Sequence, residues 1–242
     1  MYQTHRTYIK AEMFMADLVI ENPSFLLLLE HFGMETALND ISIGHLCKQY
    51  RVNTPVFLLL CNLYNGFFPQ RKDLNPEQYS LPDLIKYLKS SHRFYTSEKY
   101  PQIQNYIIQL HRTQRPEDIK QLENFFGEYF QEVLEHLAYE EEVVFPYCNQ
   151  LLQGKKPGNN NEGQHAFCST EYRDHHTDIE TKLVDLKNLL LKHLSLDGDF
   201  ILKRKMLNAL IELENDLYIH SQAEELVLLP LLERLELKER NG

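Results

Sequence analysis

HLAYEEEVVFP, residues 136–146, and HSQAEELVLLP, residues 220–230, decide how the chain folds. Each opens on a histidine, places a glutamate four residues on, continues through apolar residues and closes on proline at the same offset. Upstream and downstream the apolar residues recur in steps of three and four. In the first copy the stripe runs Tyr129, Val133, His136, Glu140, Val143, Tyr147, and in the second Leu213, Leu217, His220, Glu224, Val227, Leu231. That period is a helix with one apolar face, so both imidazoles and both carboxylates point inward. Leucine would pack better there. An unpaired carboxylate in a core costs several kcal/mol, so a sequence that buries one twice has to supply a counter-charge. No Lys or Arg sits on the facing stripes.

The other long segments supply imidazoles. Ile85, Leu88, His92 and Tyr95 form a stripe that carries His92 inward. Tyr172, Ile179, Leu183, Leu186 and Leu190 form another, flanked about equally by His175 and His176. His92 to His136 and His176 to His220 are both 44 residues apart, as two duplicated helical hairpins would be, which favours His176 and leaves His175 as the alternative. Four imidazoles and two carboxylates converging in a helical bundle make a metal site. Nitrogen and oxygen donors without thiolate suit iron, with manganese or zinc behind it. Two carboxylates can bridge two ions. A single histidine on an apolar face is more often a packed core residue than a ligand. The doubled motif, paired with further inward histidines, outweighs that reading here; Glu141, Glu142 and Glu225 beside it are expected to be solvated.

Gly and Pro are sparse and no alternating pattern competes, so the fold expected is all-α. Four helical stretches, about 82–110, 116–152, 168–194 and 199–238, read as a four-helix bundle over residues 76–242. The polar segment RKDLNPEQYSLP, residues 71–82, separates them from a small helical domain over residues 1–75. In that domain Gly33 is expected to end the helix of FLLLL, Asp40 or Ser42 to cap the next, and Asn53-Thr54-Pro55 to open another. His31 and His45 read as packed or surface side chains.

The 242 residues carry 25 Lys plus Arg against 35 Asp plus Glu, a net charge of -10 without a basic run, which argues against nucleic acid. The longest apolar runs fall far short of a membrane span and no leader pattern opens the chain, so no membrane and a cytoplasmic location are expected. Cys47, Cys61, Cys148 and Cys168 are widely spaced, which suits neither a disulfide framework nor a zinc ribbon.

At these residues the chain resembles the hemerythrin-like HHE cation-binding family, and within it the repair-of-iron-centres (RIC) branch. HLAYEEEVVFP and HSQAEELVLLP resemble that branch's H-x-x-x-E-E-x-x-L-F-P element and its second copy. RDHHTDIETKLVDLK is similar to the family's E-H-D segment, which puts the ligand at His176. SSHRFYTSEKYPQI is similar to its first-helix element and gives His92. The first 65 residues resemble the branch's small N-terminal domain, with one departure: Thr36 and Ala37 stand where that domain carries adjacent cysteines, and Cys47 and Cys61 restore no such pair. The resemblance implies two non-haem iron ions with a bridging oxide or hydroxide, held by His92, His136, Glu140, His176, His220 and Glu224. It further implies a stress-response role in repair or maintenance of iron-sulfur clusters. Two other functions fit the same residues. One is a di-iron sensor of oxygen or nitric oxide that acts on a protein partner through the N-terminal domain, a reading the absent cysteine pair favours. The other is a bundle that binds zinc or manganese structurally.

Overall fold

A computed structural model of the chain describes residues 7–112, 116–154, 179–193 and 199–241. It is an all-α helical bundle. Four short helices come first: α1 (Met15–Glu21), α2 (Phe25–His31), α3 (Ile43–Tyr50) and α4 (Thr54–Tyr64). Among the described residues four longer ones follow, each containing one five-residue π turn. They are α5 (Leu81–Phe94, π turn Tyr95–Lys99, Tyr100–Leu110), α6 (Pro116–Tyr139, π turn Glu140–Val144, Phe145–Leu152), α7 (Ile179–Asn188, π turn Leu189–His193) and α8 (Phe200–Ala223, π turn Glu224–Leu228, Leu229–Asn241).

Three of the π turns have one chemical cause. Pro101, Pro146 and Pro230 each sit six residues after the start of a turn. A proline inside a helix offers no N–H, and its ring strikes the carbonyl four residues back. The helix gives way by one residue. Tyr100 donates to the Tyr95 carbonyl, Phe145 to Glu140 and Leu229 to Glu224, each five residues back instead of four. The inserted residue rotates everything downstream. Val144 is the fully buried residue after Glu140, while the expected Val143 is only half-buried; Leu232 is fully buried, while the expected Leu231 is not. A stripe counted at a constant helical period therefore misses Val144 in α6 and Leu232 in α8.

The chain divides into two compact units. The first comprises residues 1–90, 148–158 and 219–242. Its core is apolar, with Phe25, Leu28, Leu29, Phe32, Phe57 and Leu60 all buried. Helix ends follow the expected chemistry. Gly33 takes a positive φ of 66° just after α2, Ser42 Oγ accepts from the His45 N–H at 3.4 Å, and Asn53 Oδ1 accepts from the Val56 N–H at 3.0 Å ahead of Pro55. The Asn53 N–H donates to Asp83 Oδ2 at 2.8 Å, fixing the start of α4 to the start of α5. Buried Asn62 on α4 anchors the N-terminal segment: its Oδ1 accepts from the Ile9 N–H at 2.8 Å and its Nδ2 donates to the Ile9 and Leu58 carbonyls at 3.0 and 2.8 Å.

The second unit comprises residues 91–147 and 159–218. Leu183, Leu186 and Leu190 of α7 and Met206, Leu210 and Leu213 of α8 are fully buried. Tyr100 stacks on Phe130 with ring centroids 3.8 Å apart and packs against Phe126 and Tyr129. Ion pairs Lys182–Glu132 and Lys187–Glu214 line its surface. Among the described residues, no helix is long and apolar enough to cross a membrane.

Asn62→Ala strands two backbone groups of Ile9, at about 1–3 kcal/mol each when buried. Urea unfolding should report a loss of roughly 2–4 kcal/mol, and hydrogen exchange at the Ile9 amide should accelerate while that of α5 is unchanged.

Candidate metal centre

In the second unit the site is built by α5 and α6. Residues four apart on a helix share a face, and the His136 Nε2 lies 3.1 Å from Glu140 Oε1. The other oxygen of the same carboxylate, Oε2, lies 3.1 Å from His92 Nε2. Glu140 is completely buried and His92 nearly so. One carboxylate thus faces an imidazole at each oxygen. The His92 ring stacks on Phe145, centroids 5.6 Å apart at 27°, and its backbone carbonyl accepts from the Thr96 hydroxyl at 2.8 Å. His92 is therefore held by its ring face and by its main chain.

The matching group in the first unit is on α8. His220 Nε2 lies 3.2 Å from Glu224 Oε1, and Glu224 has no exposed surface. The surroundings differ in kind. The Tyr87 ring lies 6.5 Å from the His220 ring, and Tyr87 itself packs edge-on against His31 and stacks on Phe32. His31 is a packed core residue, and His45 is exposed.

Within the second unit, His92 and His136 each bring an imidazole nitrogen to 3.1 Å from one oxygen of Glu140. Imidazole and carboxylate donors at that spacing can hold a metal ion, and borderline cations such as iron, manganese and zinc take this donor set. His175, His176 and Cys168 lie outside the described residues.

Several residues of consequence escaped the sequence reading. Glu141 is not simply solvated: its Oε1 lies 3.0 Å from His92 Nδ1. Asp216 on α8 is a third buried carboxylate, accepting from the Tyr95 hydroxyl at 2.8 Å. Its signal was present, since Glu212, Asp216, His220 and Glu224 follow one another in steps of four. Lys99 is buried although it is a lysine; its ammonium pairs with Glu212, bonds Gln102 Oε1 at 3.2 Å and sits 5.1 Å from the centre of the Phe94 ring. It falls within the π turn of α5, whose extra residue a constant period does not count.

The described thiols are buried. Burial pushes Cys47 up to about 11 and Cys61 well above the ordinary thiol value, so neither carries appreciable thiolate at neutral pH.

No protein-family model matches the chain. The iron-sulfur cluster repair protein ScdA of Staphylococcus haemolyticus (strain JCSC1435) is 22% identical to it over 223 residues, which cover 91% of this chain and 97% of that relative.

Because their folded-state values are raised, Cys47 and Cys61 remain protonated up to well above neutral pH. Iodoacetamide at pH 7.5 should leave both unmodified in the native chain and modify both in urea, as read by peptide mass spectrometry, with metal uptake of the native chain unaltered by the treatment.

Proposed function

We propose that the chain is a non-haem di-iron protein that serves in repair or maintenance of iron-sulfur clusters under nitrosative or oxidative stress. The observation that carries this reading is the pair of wholly buried glutamates, Glu140 and Glu224, each 3.1–3.2 Å from the imidazole one turn before it on its own helix. Support for the repair role comes from the likeness to ScdA over nearly the whole of both chains. His92, His136, Glu140, His220 and Glu224 would hold the metal, with His176 completing the set and His175 as the alternative. Iron bound by such donors supplies one-electron chemistry and affinity for small diatomic molecules.

The remaining work falls to the protein's own side chains. Glu140 and Glu224 bring negative charge into an apolar interior, where a cation stabilises it far more than water-exposed carboxylates would require. His92 and His136 crowd both oxygens of Glu140, so its carboxylate group is oriented before any ion arrives. Phe145 packs on the His92 ring and Tyr87 lies beside the His220 ring. We further propose that residues 1–75 act as a separate functional element. Without adjacent cysteines it would serve as a contact surface and take no part in thiol exchange.

A di-iron sensor of oxygen or nitric oxide is favoured over repair by one feature, the presence of Thr36 and Ala37 where the resembling domain carries its cysteine pair. The two readings separate in one assay. A repair protein restores activity to a nitric-oxide-damaged iron-sulfur enzyme in stoichiometric excess over background, and a sensor does not.

Metal content after expression in iron-replete medium should be about two irons per chain under this reading; stoichiometric zinc would sink it. Glu140→Gln keeps the volume but removes the charge. Its metal-free melting temperature should match wild type closely. In the iron-loaded state it should lose most of the metal-linked stabilisation, which is about 2.7 kcal/mol when free metal stands at a hundred times its dissociation constant. Equal losses in both states would show that Glu140 acts in the fold and not on a cation.

A further inference from the structure

We infer that Glu141 is a positioning residue that fixes the tautomer and orientation of His92, presenting Nε2 as the ligand atom. This inference rests on the metal reading of the site. His92 lies between two consecutive glutamates of α6: Glu140 Oε2 is 3.1 Å from Nε2, and Glu141 Oε1 is 3.0 Å from Nδ1. The two carboxylates straddle one ring.

Their circumstances differ. Glu140 has no exposed surface, whereas the Glu141 side chain is 44% exposed. A neutral imidazole carries one N–H and one lone pair. A carboxylate only accepts, so Glu141 beside Nδ1 calls for the proton there, and the lone pair is left at Nε2, the atom that faces Glu140. The opposite tautomer would set the Nδ1 lone pair against the Glu141 oxygen and direct an N–H where a cation has to sit. A carboxylate on the far nitrogen of a metal-binding histidine holds its orientation and raises its basicity, and losing such a partner typically weakens metal binding about 10- to 100-fold.

The π turn puts Glu141 in place. Glu140 opens the turn that Pro146 imposes, and Glu141 is its second residue. Phe145, which closes the same turn, stacks on the ring that Glu141 holds at its edge. The turn thus contributes three of the groups around His92. Glu142, the next residue, is exposed.

The test uses the full chain with Zn(II), a diamagnetic probe, against a competing chelator. Glu141→Ala should bind Zn(II) about 10- to 100-fold more weakly. Glu141→Gln, whose amide oxygen still accepts from Nδ1–H, should recover most of the loss, and Glu142→Ala should match wild type. Long-range proton–nitrogen NMR of the Zn(II)-loaded wild type should show His92 protonated at Nδ1. Melting of the metal-free variants verifies folding; if Glu141→Ala does not fold, the glutamine variant and the tautomer decide. The inference is overturned if Glu141→Ala binds as tightly as wild type, if Glu141→Gln fares no better than Glu141→Ala, or if His92 is protonated at Nε2. A wild type that takes up no Zn(II), Fe(II) or Mn(II) overturns the metal reading beneath it.

Discussion

A carboxylate with no exposed surface, set one helical turn after an imidazole, is the constraint on which the rest depends. It occurs twice, as His136–Glu140 and His220–Glu224. Neither glutamate gains anything from burial as a packing residue, since leucine fills the same volume without desolvating a charge. Each therefore fixes what must surround it: a histidine on its own helix and, for Glu140, a second histidine from α5. The helices have to be long and continuous enough to carry these groups into the interior, and their apolar stripes supply the burial that holds them there, at roughly 1.5–3 kcal/mol for each large side chain.

Proline and the π turn shape that constraint locally. A helix interrupted by proline ordinarily kinks or ends. Here α5, α6 and α8 each absorb the proline by widening one turn, and in α6 and α8 the widened turn begins on the buried glutamate itself. A π turn costs hydrogen-bond geometry, and such turns gather at functional sites. In α6 the turn brings Glu140, Glu141 and Phe145 around a single histidine ring. In α5 the corresponding turn opens on Tyr95, whose hydroxyl serves the buried Asp216, so the same backbone device carries a different chemical load.

The two histidine–glutamate groups are not equivalent in their surroundings. His92 and His136 share their carboxylate within reach of the half-exposed Glu141, whereas His220 lies beside Tyr87 in aromatic packing that includes His31 and Phe32. The two copies of the motif share an imidazole and a carboxylate four residues apart, while their neighbours differ. Burial holds Cys47 and Cys61 in the thiol form, so neither offers a thiolate to this chemistry at neutral pH.

The sequence by itself determined the all-α class, the helix starts at Ser42 and Asn53 and the stop at Gly33. It also determined that His92, His136, Glu140, His220 and Glu224 are inward residues. Each of these follows from local chemistry: side-chain oxygens that accept from the first helical N–H groups, a left-handed residue that only glycine adopts freely, and a period of 3.6 that puts residues four apart on one face. Only the tertiary structure decided which carboxylate meets which imidazole across helices, that Glu141 touches His92, and that Asp216 and Lys99 are buried with partners on other helices. A residue's own periodicity carries no information about the helix opposite. Beyond Glu140 and Glu224 the burial pattern also shifts to Val144 and Leu232, because each proline inserts a residue into the turn before it, and a helix with one turn of five no longer keeps the count that a reading of the sequence has to assume.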